Sequence, residues 1–252
     1  MTPNSNSKTI INRYIYMLVT AWCVVFVFAV IFIVSEVHSN AENQAFLRAK
    51  TIAERDILYR NWVSGLGGVY VKITEHSQPN PFLSMAHNRD IETREGDNLT
   101  LVNPASMTRQ VYALNNHESE IVNRITSLDL VNPDNAPDAW ESETLMSMGR
   151  AGDLIHSAMV TRDGVEYART LVALKVEASC LDCHFDQGYK AGDIRGGLSV
   201  MIPFEPFLSA EWAESVYILM LAILLWLGGL GVIAFFAKQL DSSVTQISEC
   251  SE

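Results

Sequence analysis

Two charge-free apolar runs, one near each end, constrain this chain more than any other feature. Tyr14 to Ser35 (YIYMLVTAWCVVFVFAVIFIVS) and Ser215 to Ala237 (SVYILMLAILLWLGGLGVIAFFA) contain no charged residue. Each exceeds the roughly 20 apolar residues that cross a bilayer core as a helix, so both are expected to span a membrane. The first is longer than the roughly 7 to 15 residues of a cleaved signal peptide's apolar core, and so reads as a retained anchor. Lys8 and Arg13 precede the first run and Lys238 follows the second, whereas Glu36 and Glu214 lie at the opposite ends. The positive-inside rule then places both termini in the cytoplasm. The expected organisation is a cytoplasmic N-terminus over 1–13, a transmembrane helix over 14–35, an exported domain over 36–214, a second transmembrane helix over 215–237 and a cytoplasmic tail over 238–252.

The exported domain is acidic, with 15 Lys and Arg against 26 Asp and Glu. Without a basic stripe it offers nothing to nucleic acid. Of the four cysteines, Cys23 falls within the first span and Cys250 in the cytoplasmic tail. Only Cys180 and Cys183 are exported, which excludes a structural disulfide framework.

From Tyr14 to Ser64 there is neither proline nor glycine, and Ala41, Ala45, Ala49 and Ile52 recur at helical steps. The first span is therefore expected to continue as one rigid helix, about 75 Å long, into the exported domain. Pro203 and Pro206 bracket a break, after which a second helix runs into the second span. Between them the pattern predicts an α+β domain. Val69–Thr74, Val165–Val176 and Gly197–Ile202 suit strands, Asn103-Pro104 opens a helix, and Ala139–Ser147 suits a short helix.

Cys180-Leu181-Asp182-Cys183-His184 matches C-x-x-C-H, the attachment signature of c-type haem. Two thiols bond the haem vinyl groups, and the adjoining imidazole of His184 reaches the iron. One motif implies one covalent haem c. A redox dithiol is the first alternative, but that motif opens a helix, whereas FDQGYKAGDIRGG after His184 reads as a glycine-rich loop. A zinc site is the second, and needs a further ligand.

The chain resembles the PAS-like, single-haem c-type sensor domains that lie between two membrane helices in bacterial sensor kinases and chemoreceptors. The resemblance rests on NWVSGLGGVYV (61–71), PNPFL (79–83), NPASMTRQVY (103–112), SLDLVNPDNAPDAWE (127–141), CLDCH (180–184) with GYKAGD after it, and GGLSVMIP (196–203). It implies a PAS-like sheet cradling the haem, attachment by Cys180 and Cys183, ligation by His184, and a two-pass protein of the bacterial cytoplasmic membrane with its haem domain in the periplasm. Relatives commonly continue into a HAMP linker and an output module. Here KQLDSSVTQISECSE follows the second span, so the expected chain is either truncated or dependent on a separate kinase, chemoreceptor-type or redox partner. A homodimer is expected by the same analogy.

A cysteine opposite the histidine, which a relative of this type is thought to use, has no counterpart among the exported cysteines. The candidates for the distal position are Met107, then His156, His76 and His87. Arg109, Arg169 and Lys175 are candidate partners for the haem propionates, since a guanidinium matches a carboxylate in a bidentate pair. Tyr70 and Trp140 are candidate haem-lining aromatics. No paired distal acid and base is readable, so no enzymatic activity is expected. The function expected is a redox or gas sensor, with a membrane-anchored electron-transfer cytochrome as the alternative. A Cys180→Ala, Cys183→Ala double variant is expected to run haem-free on a denaturing gel; retained covalent haem would refute the attachment site.

Overall fold

The computed structural model describes residues 5–83, 88–115, 120–184 and 187–250. With no proline or glycine to interrupt it, α1 runs unbroken over Ser5–Gly65. It ends where Gly67 and Gly68 take positive φ values of 74° and 104°, and the Gly68 N–H donates back to the Val63 carbonyl. Such a left-handed turn satisfies end carbonyls and favours glycine. At the other end of the chain, Pro203 closes the last strand and α5 spans Glu205–Cys250.

The chain divides into two compact units, Met1–Ala41 with Pro206–Glu252, and Glu42–Glu205. In the first, α1 and α5 are long and apolar enough to cross a membrane. The Trp22 indole N–H donates to the Trp226 carbonyl at 3.0 Å, and Phe26 stacks on Trp226 with ring centroids 4.9 Å apart. Gly229 leaves room for the Trp22 ring, because a Cβ there would lie 2.4 Å from it. Small residues let helix backbones approach this closely.

The central unit is mixed α+β with two antiparallel sheets. A small sheet joins β1 (Val69–Lys72), β3 (Asn98–Val102) and β2 (Asp90–Glu92) in that order. The larger sheet has the order β4 (Val122–Thr126), β7 (Ile194–Pro203), β6 (Val165–Lys175), β5 (Ile155–Arg162). Asp163 and Gly164, both at positive φ, close the β5–β6 hairpin, which is the behaviour of an Asp-Gly two-residue turn. β7 lies between two partners and is buried along most of its length, Leu198 and Val200 to Ile202 supplying its apolar part. The strands β2, β3 and β4 are short or carry Asn and Arg, and their weak alternation hides them in the sequence.

α2 (Pro104–Asn115) starts where expected, with Asn103 accepting from the Ser106 N–H. α3 (Ala139–Ala151) opens on a reciprocal capping box between Asp138 and Glu141 and ends at Gly152 in the left-handed region. Its Leu145 and Met148 pack on Leu171 and Ala173 of β6, with Trp140 and Ile194 against them.

Arg169 departs from its expected role. Its side chain is only 5% exposed, and it donates to Glu141 at 2.6 Å and Asp138 at 2.7 Å. It also donates to Ser199 at 3.1 Å and lies 4.5 Å from the Trp140 ring centre. This guanidinium serves a buried ion pair that fixes α3 on the sheet, and it does not line the cleft described below. Replacing one partner of such a pair strands the other charge, so Arg169→Met is expected to destabilise the protein by about 3–5 kcal/mol. Adding Glu141→Leu to that variant should recover most of the loss, as measured by denaturant unfolding of the full chain in detergent.

Candidate functional site

The C-x-x-C-H segment follows β6. A 3-10 turn over Ala178–Cys180 passes directly into the single turn of α4 (Leu181–His184). Residues four apart share a helical face, and Cys180 and His184 accordingly line the same cleft. The Cys180 thiol is free, with the Glu177 N–H 3.4 Å from its sulfur. The side chain of Cys183 lies outside the described residues.

The cleft lies within the central unit and has two adjoining lobes of about 680 and 660 Å³, open mouths included. Arg60, Asn103, Ala105, Leu174, His184 and Arg195 line both lobes. Phe82, Leu83, Ile125 and Val131 add apolar wall to the first. A β-bulge between Leu174 and Lys175 bends β6 at the cleft, and Lys175 lines the second lobe. At Gly196 of β7 a Cβ would come 2.3 Å from the Thr126 carbonyl, so only glycine lets β4 and β7 meet here.

His184 is held from one side. Its Nδ1 lies 2.6 Å from Gln187 Oε1, which leaves Nε2 as the nitrogen available to a metal. Burial holds the imidazole below its ordinary pKa; the Gln187 hydrogen bond opposes this, Arg195 and Arg60 add to it, and Asp129 opposes it. The net result favours the neutral ring, the form that ligates metal.

Three guanidinium groups face the cleft. Arg60, from the end of α1, donates to the Pro104 carbonyl at 3.2 Å and to Thr108 at 3.1 Å. Burial pushes its pKa down to about 10, against the pull of Tyr112, Cys180 and Asp56, so it stays charged at neutral pH. Burial also lowers Arg109, which Asp134 partly offsets. Arg195 bonds Ser127 and lies over the Tyr189 ring, 5.1 Å from its centre. Its Nε is buried with no hydrogen-bond partner, as is Thr126 Oγ1. Unsatisfied buried polar atoms are rare and costly.

The described residues of the cleft fit a haem. An imidazole with one free nitrogen, a free thiol, apolar walls and the cations Arg60, Arg109 and Arg195 are groups that can ligate the iron of a porphyrin, enclose its ring and pair with its propionates. Among the described residues no cluster of three or more His, Cys, Asp or Glu occurs.

Several expected residues lie elsewhere. Arg109 and Lys175 line the cleft, whereas Arg169 is spent on Glu141 and Asp138. Met107 is absent from the lining; on α2 it stands two residues from both Ala105 and Arg109, about 200° around the helix from each. His156 is exposed on the outer strand β5, 5.8 Å from the Trp140 ring. His76 is exposed beyond β1, and His87 lies outside the described residues. Tyr70 donates to the Asn88 carbonyl, and Trp140 lies under Arg169; neither lines the cleft. Sequence reasoning missed Arg60, Arg195 and Gln187. Gln187 sits three residues after His184, a spacing that was available as a signal, while Arg60 and Arg195 adjoin family-like stretches without belonging to them.

A family model described as Tll0287-like matches residues 38–203. Among solved structures, the cyanobacterial haem protein Tll0287 is 21% identical, covering 40% of this chain and 69% of that one with a TM-score of 0.30. A C-terminal domain from Streptococcus mutans is 12% identical, covering 48% of this chain and 96% of that one with a TM-score of 0.27. No curated protein matches the chain. Because Met107 and His156 stand off the cleft, Met107→Leu and His156→Ala are each expected to leave the ferric and ferrous absorption spectra of the loaded protein unchanged; a change in the ligand-sensitive bands would return either residue to the iron.

Proposed function

This chain belongs to the Tll0287-like family, and from that premise we propose that it is a haem c sensor anchored in a bacterial cytoplasmic membrane, with its central domain in the periplasm and both termini inside. In this reading Cys180 and Cys183 attach the haem, His184 ligates its iron, and Arg60, Arg109 and Arg195 hold its propionates. The bound haem would supply a one-electron iron couple and a coordination position for a small ligand. The antiparallel sheet supports the PAS-like description of the domain. No turnover reaction is assigned, and a homodimer acting on a separate or downstream signalling module is the form proposed.

The observation that carries sensing over simple electron carriage is the tie between α1 and the attachment segment. Asn61 Nδ2 donates to Glu177 Oε1 at 3.2 Å, and the hydroxyls of Ser64 and Ser179 share a hydrogen bond of 2.8 Å. Glu177 and Ser179 immediately precede Cys180. Movement of Cys180 and His184 would therefore load the last turns of α1, a helix with no break back to Ser5. A ligand or redox change biases such an element only through a difference in contacts, and these two bonds are the contacts available.

The test is hydrogen exchange on the full, haem-loaded chain in detergent, in the ferric, ferrous and CO-treated ferrous states. Sensing predicts altered protection over residues 58–65 and 177–184, lost in an Asn61→Ala, Ser64→Ala variant. Identical exchange in all states, together with rapid electron exchange, would identify an electron carrier.

A further inference from the structure

His184, Gln187 and Asp129 form a chain of hydrogen bonds that the haem reading alone does not require. We propose that Gln187 is a positioning residue that relays the Asp129 carboxylate to the His184 imidazole and thereby lowers the reduction potential of the haem iron. The inference rests on the haem reading above.

Gln187 Oε1 lies 2.6 Å from His184 Nδ1, and Gln187 Nε2 donates to Asp129 Oδ2 at 2.8 Å. The amide can point only one way. With its NH₂ on the carboxylate, its carbonyl must accept, so His184 carries its proton on Nδ1 and keeps the Nε2 lone pair for iron. Asp129 is itself placed: Ser127 Oγ, 3.0 Å from the Asp129 carbonyl, anchors the loop after β4, and the Tyr189 hydroxyl stands 3.4 Å from Asp129 Oδ2. The negative end polarises the amide and strengthens its pull on the Nδ1 proton, because bonds in such a chain reinforce one another. An imidazole drawn toward imidazolate donates more strongly through Nε2, which favours ferric over ferrous iron. A glutamine three residues after the motif thus gives the histidine an anionic partner without placing a carboxylate against it.

The test uses full-length, haem-loaded protein in detergent, read by spectroelectrochemical titration and by the iron–histidine stretch in resonance Raman. Gln187→Leu cuts the chain and keeps Asp129, whereas Asp129→Asn keeps the geometry and removes the charge. Each is expected to raise the ferrous-to-ferric ratio at a fixed applied potential about three- to tenfold, tenfold being about 59 mV for one electron, and to lower the iron–histidine frequency. The double variant should do no more than either single one, since both sever one path. Gln187→Glu sets a carboxylate against Nδ1 and should shift the ratio the other way, a reversal that loss of structure would not produce. An unchanged ratio in Gln187→Leu, or an Asp129→Asn effect undiminished in that background, would overturn the relay. Absence of covalent haem from the unsubstituted protein would instead overturn the haem reading, so the two failures are distinct.

Discussion

Glu141 has no exposed surface, and the groups gathered around it tie four elements of the central unit together. Its carboxylate closes the capping box that begins α3, accepts from Arg169 on β6, and lies 3.6 Å from Arg124 on β4. Arg169 in turn reaches Ser199 on β7. A buried charge held this way contributes little net stability against an apolar substitute, yet removal of one member is severe. The placement of α3 over the sheet therefore depends on this cluster as well as on the packing of Leu145 and Met148.

The same sheet carries two arginines with opposite fates. Arg169 is engaged by two carboxylates, a hydroxyl and an indole face. Arg195, on β7 at the cleft, has Ser127 and the Tyr189 ring but an Nε with no acceptor. Residue type does not separate them; the supply of partners does. One stands in a buried ion cluster away from the cleft, and the other lines the cleft. Close approach of β4 to β7 at Gly196, with the bulge at Leu174, shapes the wall on which Arg195 stands.

The attachment segment is held from two directions. On one side Glu177 and Ser179 bond to the last turns of α1, and on the other His184 bonds through Gln187 to Asp129. A segment gripped at both ends has few arrangements open to it, and its hydrogen bonds connect its one-turn helix to the end of α1.

Much of this was legible in the residues alone, because it depends on local pattern. Charge-free runs, an uninterrupted helical stretch, the Asn103-Pro104 opening of α2, the helical stretch from Ala139, the strand over Gly197–Ile202 and the C-x-x-C-H spacing are each written within a few turns of chain. The stretches from Asn61 to Pro203 carried the family for the same reason, being short and ordered. The ion cluster of Arg169 and the cleft positions of Arg60, Arg195, Gln187 and Asp129 were not legible, because a charged or polar side chain takes its role from partners distant in sequence. Arg169 meets Glu141 across 28 residues and Arg195 meets Ser127 across 68. The sequence by itself determined where helices run, which unit carries the motif and what chemistry Cys180, Cys183 and His184 offer. Only the tertiary structure decided which guanidinium groups remain available at the cleft, since hydrogen-bond satisfaction is a property of the assembled neighbourhood and of no residue alone.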